Sequence, residues 1–95
     1  DLKLSISYSA DLKKAKMLIE NIIRQDESIL KDDEIVVFVD DLSDSAVVIG
    51  ARAWVKNEEF WPTRWRLLET IKLTLDEHGV EIPYPQLTVH MPKGN

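Results

Sequence analysis

The sequence contains no cysteine. That excludes a disulfide framework, a thiolate metal site and a cysteine nucleophile, and it suits a reducing compartment. Glycine is scarce, with only Gly50, Gly79 and Gly94, so no glycine-rich loop is available to cradle a phosphate. The two histidines, His78 and His90, lie on different elements without a His-Glu pattern at ligand spacing. His78 reads as a helix C-terminal residue bonding the last carbonyls, and His90 as a polar strand position. No basic stripe is present, and the net charge is −5. A duplex-binding surface draws most of its affinity from phosphate neutralisation, so no nucleic-acid partner is expected.

Long hydrophobic runs are also missing. The longest, Ile35 to Val39, is far short of the roughly 18 residues that span a bilayer as a helix, and no signal peptide precedes the first strand pattern. The serines form no nucleophile elbow. Asp40, Asp41 and Asp44 lack the glycine and terminal glutamate of a calcium loop, and turn chemistry accounts for them. The expectation is a protein that is not an enzyme, with no catalytic residue, no metal and no cofactor.

What remains is a chain of 95 residues, 44% hydrophobic and 31% charged, the size and balance of one globular domain. It begins with Asp1 directly in a strand pattern, and so reads as a fragment or a processed chain. Leu2, Leu4, Ile6 and Tyr8 alternate with polar residues as a half-buried strand does. Ser9 or Asp11 can cap the next helix, whose stripe is Leu12, Ala15, Leu18, Ile19, Ile22 and Ile23. From Gln25 to Asp33 the pattern is a loop anchored by Ile29 and Leu30. Glu34 to Leu42 is a second strand, apolar on both faces and therefore expected to be covered on both.

Turn formers then lead into a third strand, Ala46 to Val55, in an antiparallel hairpin. Val47, Ile49, Ala51, Ala53 and Val55 share its core face. Trp54 falls on the other face, where Val36, Phe38 and Val48 can join it in an open apolar patch of the kind that meets a partner. Asn57 is a candidate cap for a second helix, with Glu58 and Glu59 at its positive end and Pro62 in its first turn. The stripe of this helix is Phe60, Trp61, Trp65, Leu67, Leu68, Ile71 and Leu75. Trp61 and Trp65 share a helix face, for which core packing is the default reading, whereas Leu73 lies off the stripe.

Gly79 is the expected left-handed stop, with Val80 clasping Leu75. Pro83-Tyr84-Pro85 fixes the exit direction, and Leu87, Val89 and Met91 mark a last strand. The order strand, helix, strand, strand, helix, strand predicts an α+β fold. Its form is a ferredoxin-like two-layer sandwich, an antiparallel sheet with two helices on one face. Small phosphatases on such folds use an early glycine-rich anion loop and arginine; here the first arginine is Arg24.

Several of these segments carry a resemblance. Leu42-Ser43-Asp44-Ser45-Ala46-Val47, Arg52-Ala53-Trp54-Val55 and Trp65-Arg66-Leu67-Leu68-Glu69 resemble the C-terminal cytoplasmic domain of the small-conductance mechanosensitive channel family. So does Asp76 to Gln86, where a helix stop and Pro-Tyr-Pro-Gln stand at fixed spacing. The resemblance covers nearly the whole chain. It implies a single C-terminal cytoplasmic domain (residues 1–95) of a larger inner-membrane channel, whose transmembrane helices and β domain lie outside this chain. It further implies a homo-oligomer, a heptamer, forming a hollow cage under the pore, anchored in the membrane by the missing N-terminal part. Ions and small solutes would pass through that cage on osmotic downshock. No catalytic residue is implied. Arg52, Trp54, Gly79, Pro83, Tyr84, Pro85 and Gln86 are expected to serve structure and assembly. The fold pattern alone also fits a free-standing ligand-binding or regulatory domain.

Overall fold

The structure, a computed structural model, describes residues 1–83. Strand β1 (Leu2–Ile6) is followed by helix α1 (Leu12–Gln25), the hairpin strands β2 (Val36–Leu42) and β3 (Val47–Arg52), and helix α2 (Phe60–Glu77). Both sheet pairings are antiparallel, in the order β1-β3-β2. This is the order of a ferredoxin-like sheet, in which β3 is inserted between two parallel strands joined by a helical crossover. The expected strand over Leu87 to Met91 lies outside the described residues.

The core forms where alternation in the strands meets the helical stripes. Leu2, Ile6, Val47, Ile49 and Ala51 from the sheet pack with Ala15, Ile19 and Ile23 of α1 and with Leu67, Ile71 and Leu75 of α2. Ile6, Ile19, Ile71 and Leu75 are fully enclosed. Burying one such side chain stabilises the fold by about 1.5–3 kcal/mol. Ile29 in the loop after α1 is buried and bridges Val55, while the N–H of Leu30 donates to the Trp54 carbonyl at 2.8 Å. The apolar anchor read from the sequence is therefore in place.

Asp11, not Ser9, caps α1 and accepts the Lys14 N–H at 3.1 Å. Ser9 instead contacts Ser7 through its hydroxyl at 2.8 Å. Tyr8 departs from the strand expectation. β1 ends at Ile6 because its partner β3 starts at Val47, directly opposite. Beyond that point Tyr8 turns outward and its hydroxyl donates to the Ser43 carbonyl. β3 is likewise shorter than its apolar alternation, since Arg52 is opposite Val36, where β2 begins, and beyond it only an isolated bridge from Val55 to Ile29 follows.

Full cover of β2 is not found. β2 is an outer strand of the described sheet, Val39 is exposed, and a bulge shifts the register between Val39 and Asp41. Ile35 and Val37 pack against the core while Val39 on the same face is exposed, so the helices cover β2 only in part, whatever its composition.

A candidate assembly surface

The candidate surface grows from the two ends of α2. At its N-terminus a single 3-10 turn, Asn57–Glu59, precedes the helix. Glu59 occupies the cap position, no side chain caps the helix, and Asn57 stands two residues too early to do so. Pro62 sits in the first turn as expected, where a missing N–H costs little.

The aromatic stripe also needs correction. Trp61 is 57% exposed and Trp65 is 62% exposed. The core side of α2 is instead Thr63, Leu67, Ile71 and Leu75, four residues apart, and Thr63 is only 2% exposed. At 100° per residue, Trp61 and Trp65 lie about 120° and 160° around the helix from Leu67, beyond the reach of the sheet. They stack on the outside: the Trp61 ring meets Phe60 edge-on at 5.0 Å and Trp65 at 6.1 Å.

Trp54, past the end of β3, is 54% exposed. Together with Phe60, Asn57, Arg52 and Asp1 it lines an open groove of about 450 Å³. The groove leads to an apolar cavity of about 50 Å³ under the sheet end, floored by Leu2, Ala51, Ala53 and Leu67, with Arg64 at its rim. Arg52 pairs with Asp1 at 3.4 Å, and its guanidinium carbon lies 6.0 Å from the centre of the Phe38 ring. Arg64 donates to the Asp1 carbonyl at 3.1 Å.

The face of the sheet away from the helices is less open than expected. Val36, Phe38 and Val48 do lie on it, but they are half-buried. The Phe38 ring covers Gly50, and Lys3 reaches Asp40 at 3.4 Å.

At the C-terminus of α2, Gly79 adopts φ +72°. The N–H of Val80 donates to the Leu75 carbonyl at 2.9 Å, and that of Gly79 to the Asp76 carbonyl at 3.1 Å. These are the two bonds of a Schellman stop, and Val80 and Leu75 are both buried, as the hydrophobic clasp requires. The His78 ring bonds the Thr74 carbonyl through Nδ1 at 2.9 Å. The exit runs past β1, where Ser7 N–H donates to Glu81 O at 3.0 Å, and Pro83 is half-buried. Tyr84, Pro85 and Gln86 lie outside the described residues, as does His90.

One polar device has no counterpart in the sequence pattern. Arg66 forks onto Asp26, with Nε and Nη2 each 2.8 Å from a carboxylate oxygen, and Nη2 also reaches Ser28 Oγ at 3.1 Å. Asp26 is the C-cap of α1 and also accepts the Ser28 N–H at 2.9 Å. The Arg66 hydrogen bonds hold the Asp26 carboxyl below its usual range against the opposing effect of burial; the Ser28 N–H adds to the lowering. The two residues are 40 apart in the chain, a separation that leaves no local signal.

Among the described residues, no group of three acidic, histidine or cysteine side chains could hold a metal ion. No described helix is long and apolar enough to cross a membrane.

Residues 1–82 match the family model described as "Mechanosensitive ion channel MscS, C-terminal". The chain belongs to the MscS family of mechanosensitive ion channels. It is 43% identical, over 90% of its length, to an uncharacterized MscS family protein of Archaeoglobus fulgidus, of which it covers 30%. It is 29% identical, over 96% of its length, to the small-conductance mechanosensitive channel of Edwardsiella ictaluri, of which it covers 32%. The crystal structure of Helicobacter pylori MscS in its closed state superposes with a TM-score of 0.81 at 26% identity. That match covers 96% of this chain and 36% of the other. The chain thus spans about a third of the length of the MscS relatives it matches.

Proposed function

We infer that this chain is the C-terminal cytoplasmic domain of a larger mechanosensitive channel in the inner membrane, and that it forms the wall of a vestibule beneath the pore. In this reading the channel is a homo-oligomer, a heptamer, that opens under membrane tension and releases ions and small solutes on osmotic downshock. The domain contributes assembly and a path for solutes, and neither catalysis nor tension sensing. The observation that carries the reading is the match of nearly the whole chain to a solved MscS fold, at a TM-score of 0.81. Family membership favours this over a free-standing ligand-binding domain, since the chain covers only about a third of its channel-family relatives.

In this function Gly79 and Pro83 aim the chain leaving α2, with Tyr84, Pro85 and Gln86 continuing that path. Arg52 and Trp54 serve the surface described above. The test is a patch-clamp recording of the full-length protein in channel-deficient bacteria. Suction should evoke stepwise currents, and expression should raise survival after downshock. Normal membrane expression without tension-gated current would overturn the reading.

A further inference from the structure

The two ends of the sheet are complementary. At one end lies the apolar cavity with its groove, lined by two arginines, Arg52 and Arg64, and one aspartate, Asp1, which contacts both. At the other end the β2–β3 hairpin projects Leu42, which is 65% exposed. Asp41 and Asp44 flank it, and no basic residue stands between Asp40 and Val47. Asp40 pairs with Lys3, whereas among the described residues the Asp41 carboxylate accepts only its neighbour's Leu42 N–H, at 2.9 Å. The hairpin is thus an acidic tip bearing one apolar knob. A cavity of about 50 Å³ is more than the ~10–15 Å³ that one water needs, and it offers the apolar floor that a single branched aliphatic side chain requires.

We propose that the hairpin of one copy docks on the groove of the next, with Leu42 entering the cavity and Asp41 and Asp44 meeting Arg52 and Arg64. The occupant is a second copy of this chain because the knob, its charge and the matching receptor are all present on one molecule. Trp54 and Phe60 ring the mouth and exclude water around the anchor, as aromatic residues do at well-packed interface centres. The contact joins unlike surfaces, so every copy keeps a free hairpin or groove until a ring closes. The contact deepens the assembly reading above and rests on that reading only for placing such a ring beneath a pore.

The absence of cysteine gives a clean background for cross-linking. Within one chain the two surfaces are separated by β3, six residues long, or roughly 17 Å at ~3.3 Å per residue. A disulfide needs Cα atoms within about 7 Å, so a bond between the surfaces joins two molecules. Chains carrying Leu42→Cys mixed with chains carrying Asn57→Cys should give heterodimers on mild oxidation. The double variant should give a ladder beyond the dimer.

Met17→Cys, exposed on α1, sets the background. Asp41→Lys with Asp44→Lys should lower the heterodimer yield ~10-fold or more through like-charge contact. Adding Arg52→Glu and Arg64→Glu to the groove-bearing chain should restore it. Heterodimer yield no higher than with Met17→Cys, a dominant Leu42–Leu42 product, or failure of the charge swap to rescue would overturn the contact. Cross-linking reads the interface without any current. An inactive channel with the cross-link intact would refute the functional reading alone, and currents without the cross-link would refute this contact alone.

Discussion

Replacing Gly50 by alanine is a test of how the outer face of the sheet is packed. A Cβ at this position would stand 2.5 Å from Cε2 and 2.6 Å from Cζ of Phe38. Ordinary contact begins near 3.4 Å, so the ring has to move by close to an ångström. Gly50 is opposite Phe38 on one side and Lys3 on the other, so the ring can only lift outward, away from the sheet. Exposing on the order of 50 Å² of ring costs about 1.2 kcal/mol at 25 cal/mol/Å². Overpacking of this kind generally costs ~1–3 kcal/mol. Loss of glycine's backbone freedom works the other way, stabilising by ~0.4–1 kcal/mol.

The ring displacement wins, and Gly50→Ala should destabilise the domain by about 1 kcal/mol. In a domain of this size that lowers the melting temperature by ~4–8 °C. Urea unfolding followed by far-ultraviolet circular dichroism measures it, with the slope of free energy against urea unchanged. The decisive comparison is made in a Phe38→Ala background. There the clash is gone, so Gly50→Ala should become neutral or stabilising, and the sign of its effect reverses. A glycine-to-alanine cost that is the same with and without the ring would refute the packing argument, because a coupled pair must be non-additive.

Three further outcomes follow from the geometry. Gly79→Ala has nothing within 4 Å of the new Cβ, so its cost is backbone strain alone, ~1–2 kcal/mol. Gly79→Asn should cost less, and equal urea midpoints for the two variants would count against the left-handed stop. Asp26, depressed first by its Arg66 hydrogen bonds, stabilises the fold fully above its unfolded pKa, near ~3.9. That contribution is lost as pH falls through the lower folded value. Acid titration of stability should therefore fall more steeply below about pH 4 for the native chain than for Asp26→Asn, and parallel curves would discount the pair. Finally, all three tryptophans are more than half exposed, so dilute monomer should show red-shifted emission open to acrylamide quenching. Blue-shifted, protected emission at the lowest concentrations would mean that Trp61 and Trp65 are core residues after all.

The elements that the sequence discloses are those whose signal is local. The α1 stripe, the turn at Asp44, the Gly79 stop with its Leu75–Val80 clasp and the Ile29 anchor each depend on a few consecutive residues, and each is where the pattern puts it. The departures share a different cause. The apolar alternation of β1 and β3 continues past the β1–β3 and β2–β3 ladders, so the pattern extends over Tyr8, whose side chain turns out to Ser43, and Trp54, which meets only the loop after α1 through Leu30. β2 reads as buried on both faces because its composition is that of a central strand. Its place at the edge is set by topology, which no window of β2 contains. Arg66 and Asp26 meet from 40 residues apart, and neither announces the other.

The aromatic residues of α2 are the most informative of these departures. Hydrophobicity alone puts Phe60, Trp61 and Trp65 on the stripe with Leu67, and that stripe is too wide for one sheet to cover. The fold resolves the conflict by burying Thr63, a smaller and more polar residue, and leaving two indoles outside. A core built for monomer stability alone would not make that choice. Each half-exposed indole leaves on the order of 100 Å² in water, and covering it is worth roughly 2.5 kcal/mol. That free energy is recovered only by contact with another surface. The same holds for Trp54 beside its groove and for Leu42 on its acidic tip. The departures from the burial pattern thus leave apolar side chains on the outside of α2, beside the groove and at the hairpin tip, the surfaces on which the proposed contact between copies draws.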